Sequence, residues 1–107
     1  MSKTDLTRMK CAPQNTAMGE ADIAARLADI PGWTLKDGAI EKTWRFKNYH
    51  ETMAFVNALA WIAHREDHHP DLQVGYNHCT VRYSTHSVGG LSINDFICAA
   101  KIDALIA

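Results

Sequence analysis

The chain has no apolar run approaching the ~18 consecutive residues of a membrane span. Its first ten residues, Met1 to Lys10, mix charges and contain no apolar stretch of the kind a secretory signal needs. The expectation is a protein with no membrane segment and no export, residing in the cytoplasm. Runs of one charge are equally scarce. Eleven Lys+Arg stand against twelve Asp+Glu, a formal net charge of -1, so the basic footprint that drives nucleic-acid binding is missing. Cysteine appears only as Cys11, Cys79 and Cys98. An odd number at wide spacing, with no C-x-x-C, argues against a disulfide framework or a zinc ribbon and fits reduced thiols. No internal repeat and no low-complexity tract is visible.

What remains is 107 residues, 47% apolar and 21% charged, the length and composition of one ordinary globular domain with a modest core. Residues 1–18 are polar, contain Pro13 and show no periodicity, which reads as a mobile or surface-draped arm. Residues 19–107 read as the folded domain. Ile23, Leu27 and Ile30, with Ala24 and Ala28, fall at helical spacing and predict a helix over Glu20 to Asp29 that Pro31-Gly32 stops. Trp33 to Leu35 and Ile40 to Lys47 flank Asp37-Gly38, a pair suited to the positive φ angles of a tight hairpin turn. Ile40, Lys42, Trp44 and Phe46 alternate with Glu41, Thr43, Arg45 and Lys47, predicting a sheet with one apolar and one wet face.

Asn48 with Glu51 resembles a capping box opening a second helix, which runs to about Glu66 on a stripe of Phe55, Val56, Leu59, Ile62 and Ala63. Trp61 either widens that stripe or faces a partner. Strands over 72–76 and 79–84 follow, joined by a short turn. Beyond Gly89-Gly90, Ser92 and Asp95 form a second capping box. The helix it opens is expected to bury Phe96, Ile97, Ala100 and Leu105 or Ile106. The layout is α-β-β-α-β-β-α, an α+β fold: a single four-stranded antiparallel sheet with three helices packed on one face.

The anomaly is histidine. Of six, five (His64, His68, His69, His78 and His86) lie within 23 residues. His64 and His68 share a helix face at i and i+4, His69-Pro70 leads out of that helix, and His86 follows the last strand. Imidazole, with an unperturbed pKa near 6.5, both gives and accepts protons at neutral pH, which suits general acid-base chemistry on a small uncharged substrate. His50 and His78, in polar or turn contexts, read as ordinary surface histidines. A zinc-protease H-E-x-x-H is not met, because Arg65 sits where Glu is required, so neither a metal nor another cofactor is expected. Cys79 and Cys98 fall on predicted core faces, where cysteine packs as a small hydrophobe.

The run His64-x-x-x-His68-His69-Pro70, then Tyr76, His86, Gly90-Leu91-Ser92 and Asp95, resembles the pterin-4a-carbinolamine dehydratases, also known as the dimerisation cofactor of a homeodomain transcription factor. The resemblance extends from about Asp5 to Asp103 and includes Pro31-Gly32-Trp33 and Phe46-Lys47-Asn48-Tyr49. It implies the same fold, and a reaction in which 4a-hydroxytetrahydropterin loses water to give quinonoid dihydropterin, recycling the cofactor of aromatic amino-acid hydroxylases. It implies catalysis by His68, His69 and His86, with His68 and His86 as acid groups on the two faces of C4a and His69 positioning the substrate. His64, Pro70, Tyr76 and Asp95 are the implied substrate contacts, Pro70 fixing the chain at the pocket rim. A homodimer or homotetramer and a functional link to a hydroxylase are implied as well.

Two departures stand out. His64 replaces the glutamate of animal members, removing a negative charge that would raise a neighbouring imidazole's pKa. Cys11-Ala12-Pro13-Gln14 lacks the second cysteine of many bacterial members, which excludes an N-terminal metal knuckle. The alternative to catalysis is a dimerisation or assembly cofactor that binds another protein with the same fold; retention of the three histidines favours the enzyme.

Overall fold

The computed structural model describes residues 1–106. Its elements are α1 (Lys3–Arg8), α2 (Glu20–Asp29), β1 (Thr34–Lys36), β2 (Ala39–Arg45), α3 (Tyr49–Glu66), β3 (Asp71–Val74), β4 (His78–Tyr83) and α4 (Ile93–Asp103), with 3₁₀ turns at His86–Val88 and Ala104–Ile106. The strands form one antiparallel sheet in the order β1-β2-β4-β3. This is the expected α+β architecture, with one helix more than the periodicity predicts.

The sheet is two-sided because the register pairs like with like. Ile40 faces Tyr83, Lys42 faces Val81 and Trp44 faces Cys79 on the buried side, while Glu41 faces Arg82 and Thr43 faces Thr80 on the wet side. Lys42, the charge on the apolar face, is accommodated by a 2.9 Å ion pair with the buried Asp103 and by its place 4.7 Å from the centre of the Trp44 ring. Asp103 also accepts from Trp33 Nε1 at 3.1 Å. The β1–β2 turn uses positive φ at Asp37 (50°) and Gly38 (78°), as the Asp-Gly pair requires.

Both capping signals hold. Asn48 Oδ1 accepts from Glu51 N at 2.9 Å, although the Glu51 carboxylate reaches back to Lys47 N rather than to Asn48. At α4 the Ser92–Asp95 box is complete in both directions. Helix α4 is the centre of the core: Phe96 to Ala100 and Ile102 are all buried. Leu105 and Ile106 are not. The 3₁₀ turn at Ala104–Ile106 takes over from the helix and leaves them 42% and 49% exposed, so the expectation that one of them completes the buried face fails.

Residues 1–18 are draped on the surface and are better fastened than an arm without periodicity suggests. Helix α1 opens with a Ser2–Asp5 capping box and seats Leu6, fully buried, in the core. Lys3 reaches Asp103 at 3.1 Å. Met9 to Met18 then run as an irregular strap. Asn94 ties it down twice, accepting from Ala12 N at 3.1 Å and donating to Ala12 O at 2.8 Å. Met18 N donates to Leu91 O at 2.8 Å.

Candidate active site

The site is built where α3 ends. Its last turn is closed by Asp67 in the left-handed conformation (φ 52°, ψ 45°), with Asp67 N and His68 N donating to His64 O and Ala63 O. Asp tolerates this conformation better than most residues, and the reversal carries His68 away from the helix axis and back over the sheet. There the His68 ring stacks on Tyr83, centroids 5.1 Å apart at 23°. The Tyr83 hydroxyl donates to His68 O at 3.0 Å. Burial pushes the Tyr83 phenol up, so it stays protonated and remains a donor.

The decisive contact is electrostatic. His68 Nε2 lies 2.6 Å from Asp95 Oδ1, and the Asp95 carboxylate is completely buried. An ionised carboxylate only accepts, so the nitrogen facing it, Nε2, is the donor of this bond and Nδ1 is left outside it. Asp95 Oδ2 is satisfied independently, accepting from Thr85 Oγ1 at 2.8 Å and from Ser92 N at 3.0 Å. Thr85 in turn accepts from the Ser92 hydroxyl at 2.7 Å. Burial lowers the pKa of His68, but the hydrogen bond and charge of Asp95, helped by Cys98 and Asp67, outweigh it and leave the imidazole above its ordinary value. The pairing with Asp95 thus favours the protonated imidazole.

His68 stands between two clefts. On one side is a space of ≈ 430 Å³ walled by Leu59, Ala63, His64, His69, Pro70 and Leu72. On the other is one of ≈ 300 Å³ walled by the strap residues Cys11 to Gln14, Glu66, Thr85, Ser87 and Asn94. His64 and His69 are therefore neighbours of His68 on the first cleft, both exposed, with His64 packed against Trp61 at 5.4 Å. Trp61 itself is 61% exposed. His86 is exposed in the 3₁₀ turn, between Thr85 and Ser87 of the second cleft wall. Thr85 links that turn to Asp95, and so to His68.

Two expected substrate contacts sit elsewhere. Asp95 is fully buried behind His68, its carboxylate directed at the imidazole. Tyr76 is exposed in the β3–β4 turn, where its carbonyl accepts from Thr52 Oγ1 at 3.0 Å. About 18 Å of helix separates Thr52 from His64 at 1.5 Å per residue, so Tyr76 lies at the opposite end of α3 within this chain. His78 packs on Gly75, its ring filling the space a Cβ would need, and His50 is exposed near the start of α3. Neither lines a cleft beside His68.

Sequence reasoning missed Thr85 and Glu66. Thr85 carries no motif. Glu66 is a buried carboxylate that accepts from Cys11 N at 2.8 Å and from Lys101 Nζ at 2.9 Å. Burial works against its charge, but these two donors hold its pKa below the usual carboxylate range. A glutamate in the last turn of a helix is an unfavourable placement for the helix dipole; that is the one signal that marked it. Among the described residues no cluster of three or more His, Cys, Asp or Glu is arranged to hold a metal ion.

Comparison with known proteins gives the family. A curated relative from Stenotrophomonas maltophilia (strain K279a), named for pterin-4-alpha-carbinolamine dehydratase, is 60% identical over 105 residues, 94% of this chain and 90% of its own. One from Nitrosospira multiformis, named likewise, is 55% identical over 94% of this chain and 92% of its own. Among solved structures, a transcriptional coactivator/pterin dehydratase from Brucella melitensis superposes with a TM-score of 0.82 at 29% identity, over 86% of this chain and 100% of that one. A pterin dehydratase-like protein described as a RuBisCO assembly factor in the alpha-carboxysome gives 0.58 at 26% identity, over 68% of this chain and 84% of its own. Residues 16–105 match the Pterin 4 alpha carbinolamine dehydratase family, and with these relatives that match shows that the chain belongs to it.

Proposed function

We propose that the protein dehydrates 4a-hydroxytetrahydropterin to quinonoid dihydropterin and water by histidine acid-base catalysis. The observation that carries this reading is the 2.6 Å pairing of His68 with the buried Asp95, which favours the protonated, proton-donating imidazole. The reaction needs one proton delivered to the departing 4a-hydroxyl and one removed from N5, forming the C4a=N5 double bond. His68 delivers the first through Nδ1. An imidazole in its neutral form takes the second, a role that falls to His86, and for the opposite stereoisomer at C4a the two exchange roles. His69, beside His68 on the cleft wall, orients the ring, and Pro70 fixes the rim. His64 supplies a further polar contact there. Neither proton transfer requires a metal.

The same reading places the protein in the recycling of the cofactor of aromatic amino-acid hydroxylases, in a reducing compartment such as the cytoplasm. It also makes the protein a homodimer or homotetramer. The sheet ends in two open edges, β1 with Leu35 51% exposed and β3 with Val74 45% exposed, and open edges are commonly covered by another copy. The test is a stopped-flow trace of 4a-hydroxytetrahydropterin decay with and without protein. Acceleration that scales with protein concentration supports the reading; decay at the buffer rate at every concentration overturns it.

A further inference from the structure

Two thiols far apart in the sequence meet beside the histidine site. Cys11 is half-buried on the strap and Cys98 is fully buried in α4, and their Sγ atoms lie 3.7 Å apart. The approach is built rather than incidental. Cys11 N is held by Glu66 Oε1 at 2.8 Å, Cys11 Sγ faces Asn94 O at 3.6 Å, and the next residue is clamped twice by Asn94. Cys98 Sγ also faces His68 O at 4.0 Å. A disulfide requires a separation of about 2.05 Å. Cys11 belongs to no helix or strand, so the strap can move inward without breaking a ladder or a helical turn.

We propose that Cys11 and Cys98 form a reversible dithiol–disulfide couple, oxidised by hydrogen peroxide, that fastens the N-terminal strap covalently to α4 beside His68. The two sulfurs share a hydrogen bond. The Cys11 thiol stabilises a thiolate at Cys98, whose pKa falls in spite of burial, while the same bond, burial and the negative charge nearby drive Cys11 up. The Cys98 thiolate then serves as the base for Cys11, the more accessible sulfur, across their shared hydrogen bond. Cys11 lines the ≈ 300 Å³ cleft, through which peroxide reaches it.

As the Cys11 sulfur attacks one peroxide oxygen its proton passes to the Cys98 thiolate: an S–O bond forms, the O–O bond breaks, and hydroxide leaves and is protonated to water. Cys98 then gives up its proton and attacks the Cys11 sulfenyl sulfur. An S–S bond forms, the S–O bond breaks, and the second hydroxide leaves as water. In total two thiols lose two electrons and two protons, and one peroxide becomes two waters. Exchange with an external dithiol restores the pair. Cys79, fully buried in β4, is outside the Cys11–Cys98 hydrogen bond and stays a thiol.

The experiment treats the fully reduced protein with a small molar excess of hydrogen peroxide, caps free thiols by alkylation, and reads intact mass and a peptide map before and after dithiothreitol. The expected product has lost two hydrogen atoms, has one alkylatable thiol, yields a Cys11–Cys98 linked peptide and reverts with dithiothreitol. Its thermal midpoint should rise by about 10 °C, since the bond closes a long loop. Cys11→Ser and Cys98→Ala should each abolish closure, and Cys79→Ala should leave it intact. Oxygen added at Cys11 with no linked peptide, a crosslink between chains, or three thiols still alkylatable would each overturn the proposal. Because Cys11→Ser, a change on the strap outside every helix and strand, suffices for the comparison, failure of Cys98→Ala to fold does not remove the test.

Discussion

Replacing Asp95 by Asn keeps the shape of a buried side chain while removing its charge. The new amide can still accept from Ser92 N and Thr85 through its oxygen, but the atom facing His68 becomes an amide nitrogen, a donor where an acceptor is needed. A hydrogen bond to a charged group contributes about 1.5–3 kcal/mol, and at 1.36 kcal/mol per factor of ten its loss corresponds to a rate reduction of roughly 10- to 150-fold. The 13% side-chain exposure of His68 means that little solvent screening weakens this figure. The pH profile should move with the rate. Asp95 holds the His68 pKa up, so the limb on which activity is lost by deprotonation of the acid should shift to lower pH in Asp95→Asn. Stability follows the same sign. A folded-state pKa above the unfolded value stabilises fully below about 6.5, and that contribution is lost as pH rises through the folded value. The variant should therefore be most destabilised relative to the wild type in mild acid and less so in mild base. Stopped-flow dehydration rates across pH, with urea unfolding at two pH values and circular dichroism as the fold control, would measure all three effects. A wild-type limb position in a folded Asp95→Asn protein would refute the role given to Asp95.

Three further outcomes are expected. Leu6→Ala should cost about 2–5 kcal/mol in urea unfolding, the range for a fully buried leucine, because Leu6 is in the core; a loss under about 0.5 kcal/mol would mean that α1 is not part of the cooperative unit. His64→Glu should move the acid-holding limb upward, since the new carboxylate would stand on the cleft that His68 shares; an unmoved limb would remove His64 from the site. Sedimentation at micromolar concentration should show a dimer or tetramer, and a species of monomer mass alone would contradict the covering of the open sheet edges.

What the sequence disclosed was local chemistry repeated in register. Asp37-Gly38, the Ser92–Asp95 box and the stripe from Phe55 to Ala63 each state their structure within a few residues, and each is found as expected. What it hid depends on partners distant in the chain. Helix α1 spans six residues and buries Leu6 alone, too little for a periodicity to register; α4, against which it packs, lies far along the chain. Leu105 and Ile106 continue the helical spacing of α4, but the backbone tightens into a 3₁₀ turn and swings them out. In the site, clustering identified the histidines but could not show which side of them Asp95 would occupy. A capping residue that also pairs with an imidazole looks in sequence like a cap alone. Tyr76 shares the family's motif order but not the cleft, because linear order does not record which end of α3 a turn meets. The Cys11–Cys98 contact, across a separation of 87, left no trace at all.

His68 as the proton donor is the central claim. The measurement that tests it is the enzyme-catalysed dehydration rate of His68→Ala at neutral pH, after subtraction of the buffer background, with His50→Ala as a control away from the clefts. The expected result is a fall of about 10² or more for His68→Ala, a wild-type rate for His50→Ala, and an unchanged circular dichroism spectrum for both. A folded His68→Ala protein that dehydrates the substrate at the wild-type rate would contradict the claim.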